Sequence, residues 1–288
     1  MTKNRILVTG ATGTIGSFVV KGLKHIKVDF VAMVRSEEKA KALNKKHIET
    51  VIGDLEDVKS LEKALDGIDK VFLLSATSPD SPKQQGNLVK AAKEKGVKHI
   101  VKISARGTAA DAEFNIGRWH AVTEAEIKES GISYTFLHCH SFLQNLFFEV
   151  GTIKEQDAIF SSMGNGKIGM VDARDIAAVA IYALTVKGHE NKTYLLTGPK
   201  AVSYDDVAKS LTKHLGREIK YIPVELEASR KEMIKSGMPE WLADDLTTIN
   251  KSYSEDKGSD LSGDVEKVIG QKPISLEEFI QDYKSRFE

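Results

Sequence analysis

Cysteine is nearly absent: the 288-residue chain holds one, Cys139, so no disulfide framework forms within it. Long hydrophobic runs are missing too. The first apolar segment, Ile6–Val8, is too brief for a signal-peptide core, and no later run approaches the roughly 20 apolar residues that span a bilayer. Nor does charge of one sign dominate, since Lys+Arg and Asp+Glu both number 41. Without a one-signed field there is no general attraction for nucleic acid or anionic lipid. Internal repeats and low-complexity tracts are also lacking. The expectation is a reduced, cytoplasmic protein that engages no nucleic acid directly and no membrane, works as a monomer or homodimer, and takes a small molecule as partner.

What is present is alternation. From residue 4 to about 140, short β-branched runs at 5–9, 29–34, 49–52, 70–74, 99–103 and 133–137 alternate with segments of helical period at 15–23, 39–46, 61–65, 87–95 and 121–128. This pattern predicts βαβ units on a doubly wound parallel sheet. Further on, Ser161-Ser-Met-Gly-Asn-Gly166 reads as a turn, Asp172 as the N-cap of a helix through 184, 193–196 as a strand, and Ser203 as another cap. Helical stretches near 204–215, 225–236, 239–250 and 275–285 suggest a smaller lobe. The expected class is α/β, with a dinucleotide-type domain over 1–155 and returning segments at 168–199, and a mainly helical, discontinuous lobe over 200–288. That lobe is expected over the carboxyl ends of the strands, where such sheets bind ligands.

The first strand runs into Thr9-Gly10-Ala-Thr12-Gly13-Thr14-Ile15-Gly16. Gly10 permits a tight turn, Gly13 admits a pyrophosphate close to the backbone, and Gly16 lets the helix pack on the strand. The helix N-terminus offers unpaired N–H groups to the phosphates. Glycine-rich strings are common in plain turns, but this one follows a strand, opens a helix and heads a series of βα units, which identifies a Rossmann-type site. Arg35 ends the second strand, where an NAD-preferring domain usually places a carboxylate for the ribose hydroxyl. An arginine suits a 2′-phosphate, so NADP(H) is expected and NAD(H) is the less favoured cofactor. The alternative for Arg35 is a solvated pair with Glu37 or Glu38. Asp54 and Leu55, at the next strand end, are placed to meet the adenine; Gly53-Asp54 also reads as a helix-entry turn.

Together, Thr9–Gly16, Val34-Arg35, Gly53-Asp54-Leu55, Leu73-Leu-Ser75 and Gly164-Asn-Gly-Lys167 resemble the NmrA-like group of atypical short-chain dehydrogenases. Within it the chain is similar to bacterial NAD(P)H quinone oxidoreductases and to triphenylmethane and azo-dye reductases. The Asp175-Ile-Ala177 helix and Tyr194-Leu-Leu-Thr-Gly-Pro199 extend the resemblance over nearly the whole chain. It implies that Ser75, Ala76 and Thr77 line the nicotinamide side, with Ser104 also among the cofactor-facing residues. It implies too that Phe142 and Asn145 face a small-molecule electron acceptor; otherwise Phe142 is core and Asn145 a surface helix residue.

Typical short-chain dehydrogenases use the tyrosine of a Tyr-x-x-x-Lys pair as acid, yet no tyrosine lies between Ser104 and the sixth strand. His120-Ala-Val-Thr-Glu124 has the same spacing, which puts both side chains on one helix face. His120 is the candidate proton donor with Glu124 orienting it; the alternative is a polar helix-face couple. Tyr253-Ser-Glu-Asp-Lys257 spells the motif far from the sheet and is read as coincidence. His138 and His140 share a face around Cys139, but no third ligand stands at a metal-binding spacing, so they read as core or pocket-wall residues. The departure from tyrosine points to acceptors needing little proton assistance, such as quinones, azo compounds and cationic dyes. The other function open at this point is a dinucleotide sensor that turns nothing over, since NmrA-like proteins include such regulators.

Overall fold

A computed structural model describes residues 4–288. In chain order its first elements are β1 (Ile6–Val8), α1 (Thr14–His25), β2 (Phe30–Val34), α2 (Glu37–Asn44), β3 (Thr50–Ile52), α3 (Val58–Ala64), β4 (Lys70–Leu73), α4 (Ser81–Glu94), β5 (His99–Ala105), α5 (Asn115–Ser130) and β6 (Ser133–Cys139). A 3-10 helix (Leu143–Glu149) follows, then α6 (Val150–Gln156), β7 (Ala158–Ser161), α7 (Ala173–Thr185), β8 (Lys192–Leu196), α8 (Tyr204–Leu215) and β9 (Lys220–Pro223). The chain closes with α9 (Leu226–Lys235), α10 (Glu240–Ser254), α11 (Asp264–Ile269), α12 (Leu276–Asp282) and α13 (Lys284–Phe287).

Seven strands form one sheet in the order β3-β2-β1-β4-β5-β6-β8, and the pairings from β3 to β5 are parallel. Every residue of β1 and β2 is buried. Such unbroken apolar strands are what a parallel sheet covered on both faces requires, because no face alternates with solvent. Chain order reverses between β1 and β4, so the carboxyl ends of these two strands border the crevice at the switch point. Thr9 ties those ends together: its hydroxyl donates to the Leu74 carbonyl and accepts from the Leu74 N–H, both at 2.8 Å.

The chain divides into two compact units. The first comprises residues through Ala112, Ile116–His138 and Ala173–Leu195; the second comprises Glu113–Asn115, Cys139–Asp172 and Leu196–Glu288. α7 belongs to the first because it packs on α1, where a Cβ on Gly22 would lie 2.3 Å from Ile181 Cδ1. Lys70 Nζ donates to the Leu184 carbonyl at 2.6 Å, setting a cation on the C-terminal end of α7. The main body of the second unit begins at Cys139, ahead of the expected residue 200, since Leu143, Leu146 and Ile153 join Ile159, Val207, Leu211, Phe279 and Phe287 in its core. Its two-stranded parallel sheet, β7 with β9, was not expected from the sequence. β7 ends inside the predicted turn at Ser161. Gly166 is required there, since a Cβ would fall 1.8 Å from the Tyr253 carbonyl oxygen. α8 and α12 are fixed locally by capping boxes, Ser203 with Asp206 and Ser275 with Glu278.

Candidate active site

The turn after β1 is built from three glycines with different tasks. Gly10 has φ +61°, and a Cβ there would sit 2.9 Å from the Leu74 carbonyl oxygen. A Cβ on Gly16 would fall 2.1 Å from the Gly10 carbonyl oxygen, so α1 starts closer to the turn than any other residue allows. Gly13 differs from both. Its φ is −80°, and an added Cβ would meet only the Gly10 oxygen, at 3.4 Å. Nothing inside the protein demands glycine at this position; what its bareness provides is open space over the first turn of α1. That turn carries no side-chain cap and no acidic residue, whereas α2 is capped by Ser36 and begins with Glu37 and Glu38. An uncapped helix N-terminus beneath a bare backbone has the electrostatics of a phosphate cradle. Thr12 and Thr14 are exposed beside it, while the Ile15 side chain is buried in the core.

Arg35 emerges exposed at the end of β2 and makes no ion pair with Glu37 or Glu38 among the described residues. Its guanidinium is therefore available to an anionic group. Asp54 takes part in the helix-entry turn: its carboxylate accepts from the Glu56 N–H at 3.0 Å and its own N–H donates to Ser60 Oγ at 2.9 Å. Leu55 leans on the core. Past the end of β4, Ser75 is anchored by Gln85 Nε2 at 2.8 Å, and Ala76 and Thr77 are exposed. The residues present thus fit a dinucleotide that lays its pyrophosphate on α1 and a phosphate near Arg35.

A polar cluster lies between β5, α5 and β6. His120 and Glu124 share a helix face, as their spacing requires, but they do not pair. His120 Nδ1 faces Nζ of Lys102 at 2.7 Å, and that Nζ also donates to the Ile103 carbonyl at 3.1 Å. Glu124 Oε1 instead accepts from Ser104 Oγ at 2.5 Å and meets His138 Nε2 at 2.9 Å. The expectation that Glu124 orients His120 gives way to two separate contacts. Burial first, then the charges of Lys102 and His138, hold the His120 pKa well below the ordinary histidine value. Burial alone would push Glu124 up, but hydrogen bonds from His138 and Ser104, with the charges of His138 and Lys102, outweigh it and bring its pKa below the usual carboxylate range. At neutral pH the cluster holds a neutral imidazole and a carboxylate.

Lys102 went unrecognised in the sequence reading. The available signal was a lysine interrupting the apolar run of a central strand, since a fully buried ammonium must be paired. Ser104 is held by Glu124 and by Thr108 at 3.2 Å. Of the flanking histidines, His138 faces Glu124, whereas β6 ends at Cys139 and His140 lies in the second unit, stacked on Tyr253 at 5.6 Å. Tyr253 is buried there as a packing residue. Phe142 and Asn145 are also in the second unit. Phe142 is half-buried at the entrance to the 3-10 helix, and Asn145 is exposed with its amide on Ser141 Oγ at 3.3 Å.

The chain is 40% identical over 282 residues to an NAD(P)H azoreductase of Xenophilus azovorans, covering 98% of this chain and 99% of that one. It is 32% identical to quinone oxidoreductase 2 of Escherichia coli, over 96% of this chain and 97% of that protein. Among solved structures, the triphenylmethane reductase of Citrobacter sp. complexed with NADP(H) superposes with a TM-score of 0.87 at 31% identity, over 96% of this chain and 99% of that one. The model of the NmrA-like family matches residues 2–284, and the chain belongs to that family.

Proposed function

We propose that this protein is an NADPH-dependent reductase whose acceptor is a quinone, an azo compound or a triphenylmethane-type dye. The observation that carries the reading is His120, its Nδ1 engaged by Lys102 Nζ at 2.7 Å, in a segment without tyrosine. The relatives named above act on such acceptors and align along nearly their full length. When bound on the first turn of α1, NADPH supplies a hydride. The chain's own part is to hold the phosphates on the α1 N-terminus and Arg35, and to present hydrogen-bond donors rather than a strong acid. A neutral imidazole N–H is a poor acid near pH 7. Quinones and dye cations delocalise the incoming electrons themselves, whereas a ketone develops alkoxide charge that needs a proton or a strong oxyanion site.

Steady-state NADPH consumption with a quinone, an azo dye, a triphenylmethane dye and a panel of ketones tests this. Turnover is expected with the first three and far less with any ketone, and His120→Ala is expected to lose less than the roughly 10²–10⁴-fold typical of a removed general acid. Rapid ketone reduction that collapses in His120→Ala would make His120 a true acid and overturn the mechanism. Tight NADPH binding with no turnover on any acceptor would favour the sensor.

Cofactor choice is tested separately. NADPH is expected to bind more tightly than NADH, and Arg35→Ala to remove most of the difference. A charge-assisted hydrogen bond contributes about 1.5–3 kcal/mol, or roughly 10- to 150-fold in affinity. Equal affinities of the wild type for both cofactors in calorimetric titration would sink the assignment.

A further inference from the structure

We propose that Lys102 is the positioning residue for His120, occupying Nδ1 so that the ring proton resides on Nε2. Lys102 is fully buried, and its Nζ stands 2.7 Å from Nδ1. An ammonium has three donors and no acceptor, so the nitrogen it meets must be the bare, accepting one. The neutral imidazole then carries its hydrogen on Nε2, which has no protein partner among the described residues. His120 is thereby turned into a one-way donor.

The surroundings leave Lys102 as the determinant. The charged and titratable groups acting on His120 are Lys102 from β5 and His138 from β6, and both disfavour an imidazolium. Glu124, on the same helix as His120, is bonded to Ser104 and His138 instead, and among the described residues no carboxylate bonds either ring nitrogen. A carboxylate in place of Lys102 would take the hydrogen onto Nδ1 and leave Nε2 as an acceptor, the wrong polarity for an acceptor oxygen or nitrogen gaining electrons. For its kinetic arm the inference rests on the reductase reading; its spectroscopic arm does not.

The test is long-range ¹H–¹⁵N NMR on histidine-labelled full-length protein, with His120 assigned by comparison with His120→Gln. The wild type is expected to show His120 as the neutral Nε2–H tautomer throughout pH 5.5–8. In Lys102→Met, which keeps the length and apolar stem, the tautomers are expected to mix and the His120 titration to rise by about one pH unit or more. With a quinone, kcat is expected to be flat over that range in the wild type and to gain an inflection in the variant. Because the wild-type spectrum is itself decisive, the inference does not depend on the variant folding. A wild-type His120 protonated on Nδ1, or a titration unmoved by Lys102→Met, would overturn it. An inactive protein whose His120 is Nε2–H would uphold this inference while removing the reductase reading.

Discussion

Gly13→Val is expected to abolish NADPH binding in a protein that still folds. The backbone there has φ −80°, and an added Cβ would meet one atom, at 3.4 Å, so neither strain nor packing resists a side chain. The branched side chain would stand over the first turn of α1, where the pyrophosphate would accept N–H hydrogen bonds. Losing two charge-assisted bonds of about 1.5–3 kcal/mol each corresponds to at least about a 100-fold fall in affinity. Gly16→Val provides the contrast. Its Cβ would collide with the Gly10 carbonyl at 2.1 Å, so this variant is expected to lose the fold itself. Circular dichroism and thermal unfolding report on folding, and fluorescence titration reports on binding. A folded Gly13→Val that binds NADPH undiminished would place the phosphates elsewhere.

Acid is expected to weaken the fold through His99. This residue is buried in β5 with Nε2 at 2.9 Å from Thr135 Oγ1, whose own hydrogen goes to the His189 carbonyl at 2.6 Å. Nε2 therefore donates. Burial first, and then the nearby Lys70 charge, lower its pKa to about 4 from 6.5. Between those values the unfolded chain binds a proton that the folded one refuses, so stability rises with pH across this window. The contribution is complete above about pH 6.5 and disappears as pH falls through about 4, amounting to on the order of 3 kcal/mol. Urea unfolding of wild type and His99→Gln at pH 4.5, 5.5, 6.5 and 7.5 measures it. The glutamine keeps a donor for Thr135 and cannot titrate here, so the stability curve of the variant is expected to be flatter. Parallel curves would remove His99 from the acid response.

Much of the fold was legible because the relevant signals are local. The strands at β1, β2, β4, β5 and β6 coincide with apolar β-branched runs, and Ser203 announces α8 through its capping box. The elements that escaped are those with weak local signals. β7 and β9 have four residues each, the latter ending in proline, and they pair across a separation no turn motif marks. The 3-10 helix and α6 are short and follow the strand end without a cap bond. α4 begins at Ser81, ahead of the expected residue 87, because its Ser-Pro start is polar and hides the helical period.

The sequence by itself determined where the glycine turn would lead into a helix, which strand end would carry Arg35, and that no tyrosine stands between Ser104 and the sixth strand, because each is a statement about neighbours along the chain. Spacing also established that His120 and Glu124 share a helix face. What that face meets was decided only by tertiary structure, since Lys102 and Ser104 come from β5 and His138 from β6, and a helical period carries no information about the sheet packed against it. The separation of His120 from Glu124, one held by Lys102 and the other by Ser104 and His138, follows from the register of two buried strands against one helix.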